Sequence, residues 1–274
     1  MNYRHLYHAG NFADVVKHVI LIALFNHFKE KEPAFCCLDT HAGIGLYELN
    51  SIETQKKKEY ETGILKLFFA EKKSIPSEIQ DYISMIEKLN GKGKFSFYPG
   101  SPWIAKSLMR DQDKLILCEL HTEDYQTLKD NFRGEKNIAI HHQDAYLGMK
   151  AFLPPKEKRG LVLIDPPFEM TNEFECIENA LKTALKHWKS GCFMVWYPIK
   201  ENAPAQHFLK NISALSPDYL AYHFSIDPME AKTALSRCGI LIINPPWKLS
   251  EKLETSVLPY LTKQLQATWS RVCY

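Results

Sequence analysis

Apolar residues recur at helical spacing from Phe12 through Val15, Val16, Val19, Ile20, Ala23 and Leu24, which marks one face of a 3.6-residue period. The pattern predicts a helix over 11–28 with one buried face and Asn11 as its N-cap. After a polar break at 30–33 comes the apolar run Ala34-Phe35-Cys36-Cys37-Leu38, the composition of a buried strand. It leads into Asp39-Thr40-His41-Ala42-Gly43-Ile44-Gly45. From about 50 to 98 the character changes. Charge clusters at Lys56-Lys57-Lys58-Glu59 and Glu71-Lys72-Lys73 flank helical patterns at 64–69 and 79–89, and Gly91-Lys92-Gly93-Lys94 forms a basic tip. This stretch, 50–98, is expected as a helical insertion within one domain covering 1–274.

Strand and helix patterns then alternate. Ser101 is expected to cap a helix over 101–109. Strands follow at 115–120, 138–142, 161–165 and 192–197, with helices at 122–132, 146–153, 172–188 and 203–215 between and after them. The segments 219–226 and 239–243 read as the last two strands. Repeated strand–helix units with right-handed crossovers give a mostly parallel, doubly wound α/β sheet. Such sheets bind ligands beyond the carboxyl ends of their strands.

Four of those strand ends carry chemistry. Gly43 and Gly45 let backbone approach a ligand, but Gly43-x-Gly45 is neither the dinucleotide fingerprint nor a P-loop. Alone, it is equally well a structural turn. Glu119 closes a strand where an acidic side chain accepts ribose hydroxyls; taken singly it reads as a solvated glutamate. Asp144-Ala145 offers a carboxylate for an adenine amino group and a backbone N–H for a ring nitrogen. Asp165 is the fourth. Glycines, Glu, Asp and Asp in this order match S-adenosylmethionine sites far more specifically than any one of them does.

Asp165 opens Asp165-Pro166-Pro167-Phe168 after the apolar run Gly160-Leu161-Val162-Leu163-Ile164. Two prolines remove two N–H donors and stiffen the turn, so its carbonyls face a ligand instead of a ladder. A carboxylate, rigid carbonyls and a flat ring suit an exocyclic amine on a stacked base. This is the (Asp/Asn/Ser)-Pro-Pro-(Tyr/Phe/Trp) pattern of amino-methyltransferases. Asn244-Pro245-Pro246-Trp247 fits it too. That copy ends the last expected strand and reads better as a buried strand terminus with a packed tryptophan, so the chemistry is assigned to Asp165.

Composition narrows the setting. The 274 residues are 45% hydrophobic and 24% charged with a net charge of +2, enough for a core and too mild to prove or exclude a nucleic-acid partner. Seven cysteines without a Cys-x-x-Cys pair imply a reduced, cytoplasmic protein. No signal peptide is evident, and the longest apolar stretch, 19–25, is too short to cross a bilayer. His5, His8 and His18 suggest a metal only weakly, because no cysteine or carboxylate has matching spacing.

Many segments together resemble the RlmJ family of bacterial large-subunit ribosomal RNA adenine-N6 methyltransferases. They include Tyr3-Arg4-His5, His8-Ala9-Gly10-Asn11, Lys17-His18, Leu38-Asp39-Thr40-His41-Ala42-Gly43, Tyr98-Pro99-Gly100-Ser101-Pro102 and Glu119-Leu120-His121. Ala13-Asp14-Val15, Ile164-Asp165-Pro166-Pro167, Trp196-Tyr197-Pro198 and Asn244-Pro245-Pro246-Trp247-Lys248-Leu249 complete the set. The resemblance implies a Rossmann-like methyltransferase with a small helical insertion, acting on 23S ribosomal RNA with S-adenosylmethionine. It implies cofactor contacts from His18, His41, Ser101, Glu119, Asp144, Ala145 and Asp165. Catalysis falls to Asp165, with Pro166 and Phe168, and RNA contacts to Tyr3, Arg4 and Lys17. Arg4, Lys17 and the lysines Lys56, Lys57, Lys58, Lys92 and Lys94 are candidates for phosphates, although a solvated face explains the lysine runs as well. Two positions depart from the family: it has Tyr where Phe168 stands and often Gly where Ala145 stands. No metal and no membrane are expected, and a monomer is. The rival readings are a DNA adenine methyltransferase, a non-catalytic RNA-binding protein, and a small-molecule or protein-amide methyltransferase.

Overall fold

The computed structural model describes residues 5–70, 73–91, 94–229 and 235–274. Its strands, in chain order, are β1 Cys36–Asp39, β2 Leu46–Glu48, β3 Phe97–Pro99, β4 Lys114–Glu119, β5 Ile138–His142, β6 Gly160–Ile164, β7 Cys192–Pro198, β8 Tyr219–Ile226, β9 Arg237–Ile243 and β10 Ala267–Arg271. The helices are α1 Phe12–Lys29, α2 Ile52–Lys57, α3 Ile64–Phe68, α4 Ser77–Asn90, α5 Ser101–Leu108, α6 Thr122–Asn131, α7 Ala145–Phe152, α8 Glu173–His187, α9 Asn202–Leu215, α10 Leu249–Lys252 and α11 Leu258–Leu265.

Eight strands form one sheet in the order β10-β8-β9-β7-β6-β1-β4-β5. β1 is buried throughout and pairs in parallel with β4 on one side and β6 on the other. The chain leaves β1 for β4 and β5, then returns to β6 and β7. The strand order therefore reverses at β1, the place where such sheets open a crevice. The α/β, Rossmann-like reading holds. The sheet is parallel from β5 to β7, while β9, β8 and β10 add antiparallel pairs.

One expectation is corrected at the C-terminus. The strand β9 is not the last, because β10 pairs antiparallel with β8. Only Ala267 and Trp269 of Ala-Thr-Trp-Ser-Arg turn to the core, and both stay half-buried, as suits an edge strand. Between β9 and β10, α10, a π-helical turn at Leu253–Val257 and α11 bury Leu249, Leu253, Val257, Leu258, Leu261 and Leu265.

α1 also differs from expectation. Asn11 does cap it, accepting from Asp14 N at 2.9 Å. The helix, however, is buried nearly all round, including Asp14, Lys17 and His18. Helices α4 and α5 pack on it, as does the sheet through β9. The stretch 46–99 thus covers what would have been a wet face. Its ends, β2 and β3, form an antiparallel ribbon. Ile64 N donates to Gly10 O at 2.9 Å, and a side chain at Gly63 would meet that oxygen at 2.1 Å, so the approach requires glycine.

The second Pro-Pro turn lies at the far end of the sheet. Ile243 pairs with Phe193 at the start of β7, whereas Asp165 follows the end of the parallel strand β6. Asn244, at φ +50°, donates through its amide to the carbonyls of Lys189 (2.8 Å) and Gly191 (2.7 Å). Trp247 is 81% exposed, not packed as expected. Leu249 N closes on Pro246 O at 3.1 Å, and α10 begins there, just after Trp247.

Candidate active site

Beyond the carboxyl ends of β1, β4, β6 and β7 lies a cavity of about 340 Å³, within the usual size of small-molecule sites. His41, Gly43, Ser101 and Glu119 line one part of it. Asp165, Pro166, Phe168 and Trp196 line another, and Lys17 and His18 reach in from α1.

The Asp165 turn is braced on both sides. Thr40 donates to Leu163 O through its N–H (3.0 Å) and its hydroxyl (2.9 Å), locking the end of β1 to β6. Phe168 sits at φ +51°, a left-handed conformation that costs a bulky residue on the order of 1–3 kcal/mol. Edge-to-face contacts with Phe174 (4.9 Å) and Trp196 (6.1 Å) hold its ring there.

Asp165 itself is ion-paired with Lys17. Lys17 donates also to Asp14 Oδ1 at 2.9 Å, and Asp14 Oδ2 accepts from His5 Nε2 and Gly10 N, both at 2.9 Å. Burial alone would raise the Asp14 carboxyl, but His5 and Lys17 hold it well below the usual range. Burial alone would likewise discharge Lys17, yet Asp14 and Asp165 raise it well above its ordinary value. A charged ammonium is thus fixed against Asp165 inside the protein. The reading of Lys17 as a phosphate contact is corrected, because the side chain is buried and committed to two carboxylates.

The other part of the cavity is built on carboxylates capped by backbone. Glu119 accepts Gly43 N and His121 N, each at 2.8 Å. Burial raises its carboxyl, opposed by those N–H groups. Asp39 accepts the Ser101 hydroxyl at 2.6 Å and His41 N at 3.3 Å. Burial pushes its carboxyl up to about 7, against the Ser101 hydrogen bond and with help from Asp165. Ser101 therefore does not cap α5 with its side chain; Gly100 is the capping residue, and the hydroxyl is spent on Asp39.

His41 and His18, two of the histidines lining the cavity, are held neutral. Burial lowers His41 to about 3, and its Nδ1 donates to Thr40 Oγ1 at 2.8 Å. Burial and the charge of Lys17 push His18 well down. Tyr82 donates to Tyr98 at 2.8 Å, and Tyr98 donates to His18 Nδ1 at 2.8 Å. His5, His8 and His18 bond to Asp14, Glu59 and the two tyrosines respectively. Among the described residues no group of three or more metal-ligating side chains converges.

Asp144 and Ala145 do not line the cavity. Asp144 caps α7, accepting from Tyr146 N and Leu147 N at 3.0 Å. Gln143 N still ties this turn to Glu119 O at 3.2 Å, and Tyr146 meets His41 edge-to-face at 6.1 Å. Tyr3, Arg4 and Lys92 lie outside the described residues. Sequence reasoning assigned no role to Asp14, Asp39 or Trp196. For Asp14 a signal existed: it and Lys17 stand three apart on an otherwise apolar helix, a spacing at which side chains meet.

The family model described as "Ribosomal RNA large subunit methyltransferase D, RlmJ" matches residues 32–272. The chain belongs to the RlmJ family. A relative from Haemophilus influenzae, named ribosomal RNA large subunit methyltransferase J, is 39% identical over 267 residues, covering 97% of this chain and 94% of that protein. Its Escherichia coli namesake is 35% identical over 266 residues, with the same coverage. A crystal structure of a Legionella pneumophila protein superposes with a TM-score of 0.89 at 34% identity, covering 97% of this chain and 98% of that one. RlmJ membership makes the chain a methyltransferase of the S-adenosylmethionine-dependent type, with the Rossmann-like sheet described above.

Proposed function

We propose that the chain methylates N6 of an adenine in 23S ribosomal RNA, using S-adenosylmethionine. The observation that carries this reading is Asp165-Pro166-Pro167-Phe168 in the cavity wall, its carboxylate held by buried Lys17. Family membership points the same way.

The residues fit the cofactor. Glu119 offers a carboxylate at a strand end beside β1, the position that accepts a ribose diol. At Gly43, φ +58°, an added Cβ would stand 2.4 Å from the Tyr47 hydroxyl, so bare backbone faces the cavity there. His41 and His18 are uncharged and so do not repel a sulfonium. These residues and Ser101 would hold the cofactor, with Asp144 and Ala145 flanking from the turn tied to Glu119. S-adenosylmethionine supplies the electrophilic methyl group when bound.

The rest of the work belongs to the protein. An adenine amine is a weak nucleophile because its lone pair is delocalised into the ring. Asp165 and the Pro166 carbonyl accept the two amine hydrogens and favour a pyramidal nitrogen. Phe168 stacks on the base and sets its approach; a ring without a hydroxyl suffices for this. Positioning of this kind supplies up to roughly 7–11 kcal/mol of barrier lowering. The amine proton leaves after transfer, and Asp165 is placed to receive it. The base must first leave its stack, at about a few kcal/mol, least in looped RNA. Tyr3 and Arg4 precede α1 in the chain and would guide the RNA.

Labelled S-adenosylmethionine with protein-free large-subunit rRNA, alongside DNA, tests this. The expected result is N6-methyladenine in RNA that Asp165→Ala abolishes. Labelling of DNA alone, or of neither, would overturn it.

A further inference from the structure

We propose that Lys57 holds a phosphodiester of the RNA strand carrying the target adenine, with His8 and Glu59 as the residues that position it. The proposal rests on the function inferred above and names how that same site grips its substrate.

Both Lys57 and His8 line the cavity, and Lys57 is exposed, so the pair stands at its mouth. Glu59 is 4% exposed. Its Oε1 accepts His8 Nδ1 at 2.7 Å and its Oε2 accepts Asn11 Nδ2 at 3.1 Å. With the Nδ1 proton turned to a carboxylate, His8 Nε2 presents a lone pair outward. Lys57 Nζ donates to that nitrogen at 3.2 Å. An ammonium has three donors, and here one is spent on a ring nitrogen of His8. Among the described residues Lys57 has no carboxylate within ion-pairing distance.

The result is a cation on a flexible stem, held in one place by a partner that does not neutralise it. A carboxylate partner would have answered the charge; an imidazole only aims it. A site of this kind takes an anion. When the base reaches down to Asp165, the anion at the mouth is its own backbone phosphate. Phosphate contacts of this sort fix register without reading sequence. Asn11 N-caps the helix that carries Lys17, so Glu59 links the phosphate contact to the catalytic end of α1.

The test is equilibrium binding of protein-free large-subunit rRNA across a salt series, with S-adenosylmethionine binding as the check on folding. Lys57→Ala, an exposed substitution, is expected to reduce the slope of log K against log salt by about 0.7, one single-strand phosphate. Lys57→Arg is expected to keep the slope. Glu59→Gln is expected to lower it in the parent and not further in Lys57→Ala. An unchanged slope in Lys57→Ala would overturn the phosphate contact. A further loss from Glu59→Gln in that background would overturn the positioning role. If the parent protein bound no RNA and methylated none, the inferred function would fail first, and the two failures are distinct.

Discussion

Asp165-Pro166-Pro167-Phe168 and Asn244-Pro245-Pro246-Trp247 satisfy one four-residue pattern and do opposite things. The first closes a parallel strand at the crevice and meets Lys17. The second closes an antiparallel strand at the other end of the sheet, where Asn244 ties down two carbonyls. Phe168 is wedged between two aromatic rings, while Trp247 stands in solvent. The pattern makes a stiff turn with outward-facing acceptors. Whether that turn becomes a wall of the cavity depends on where the fold places its strand end.

The sharpest break of the comparison is at those first residues. Asp165→Ala is expected to lower single-turnover methylation by about 10³-fold, the scale of losing a preorganised polar group. Asn244→Asp in that background, which completes the acidic pattern at the wrong end, is expected to restore nothing. Recovered methylation would mean that the two turns are interchangeable.

Removing the partner comes next. Lys17→Met leaves Asp14 and Asp165 facing each other without their cation. Breaking a buried pair this way costs about 3–5 kcal/mol. Denaturant unfolding should show a loss of that order, and turnover should fall with it. Asn244→Ala is the matching experiment at the far end. It removes two hydrogen bonds to backbone and should cost about 1 kcal/mol in the same assay, with the single-turnover rate unchanged.

The smallest effect concerns acidity. Asp39, raised to about 7 by burial, binds its proton more tightly folded than unfolded. Its stabilising contribution is therefore complete below the unfolded value of about 4 and is lost as pH rises toward 7. The melting temperature of Asp39→Asn should gain on that of the parent across this window and run parallel above it. Parallel curves throughout would show that Asp39 ionises as freely in the fold as outside it.

The comparison also shows what a sequence can reveal. Periodicity located α1 and the strands β1 and β4 to β9, because each is a run of apolar residues with an identifiable stop. The β2–β3 ribbon escaped because each strand is three residues long, and β10 because only Ala267 and Trp269 alternate toward the core. The leucines of 249–265 do carry a helical pattern, but the π turn at Leu253–Val257 shifts its phase. Within the site, Glu119 was legible as a strand end and Asp165 from the Pro-Pro-Phe sequence that follows it. The Asp14–Lys17–Asp165 chain was not, since its last link joins residues 148 positions apart. Nor was the Ser101–Asp39 bond, since a serine opening a helix ordinarily reads as a cap.

That separation also sets an order of events during synthesis. At about 5–20 residues per second, Asp165 follows Lys17 out of the ribosome by roughly 7–30 s. In that interval α1 exists as an apolar rod carrying Asp14, Lys17 and His18 on faces that have no cover until α4 and α5 arrive. The first helix made is among the last to reach its native surroundings, and its lysine meets Asp165 only when β6 has docked beside β1. A nascent chain cut short anywhere before that point holds the Gly43 and Glu119 part of the cavity wall and lacks the Asp165 turn.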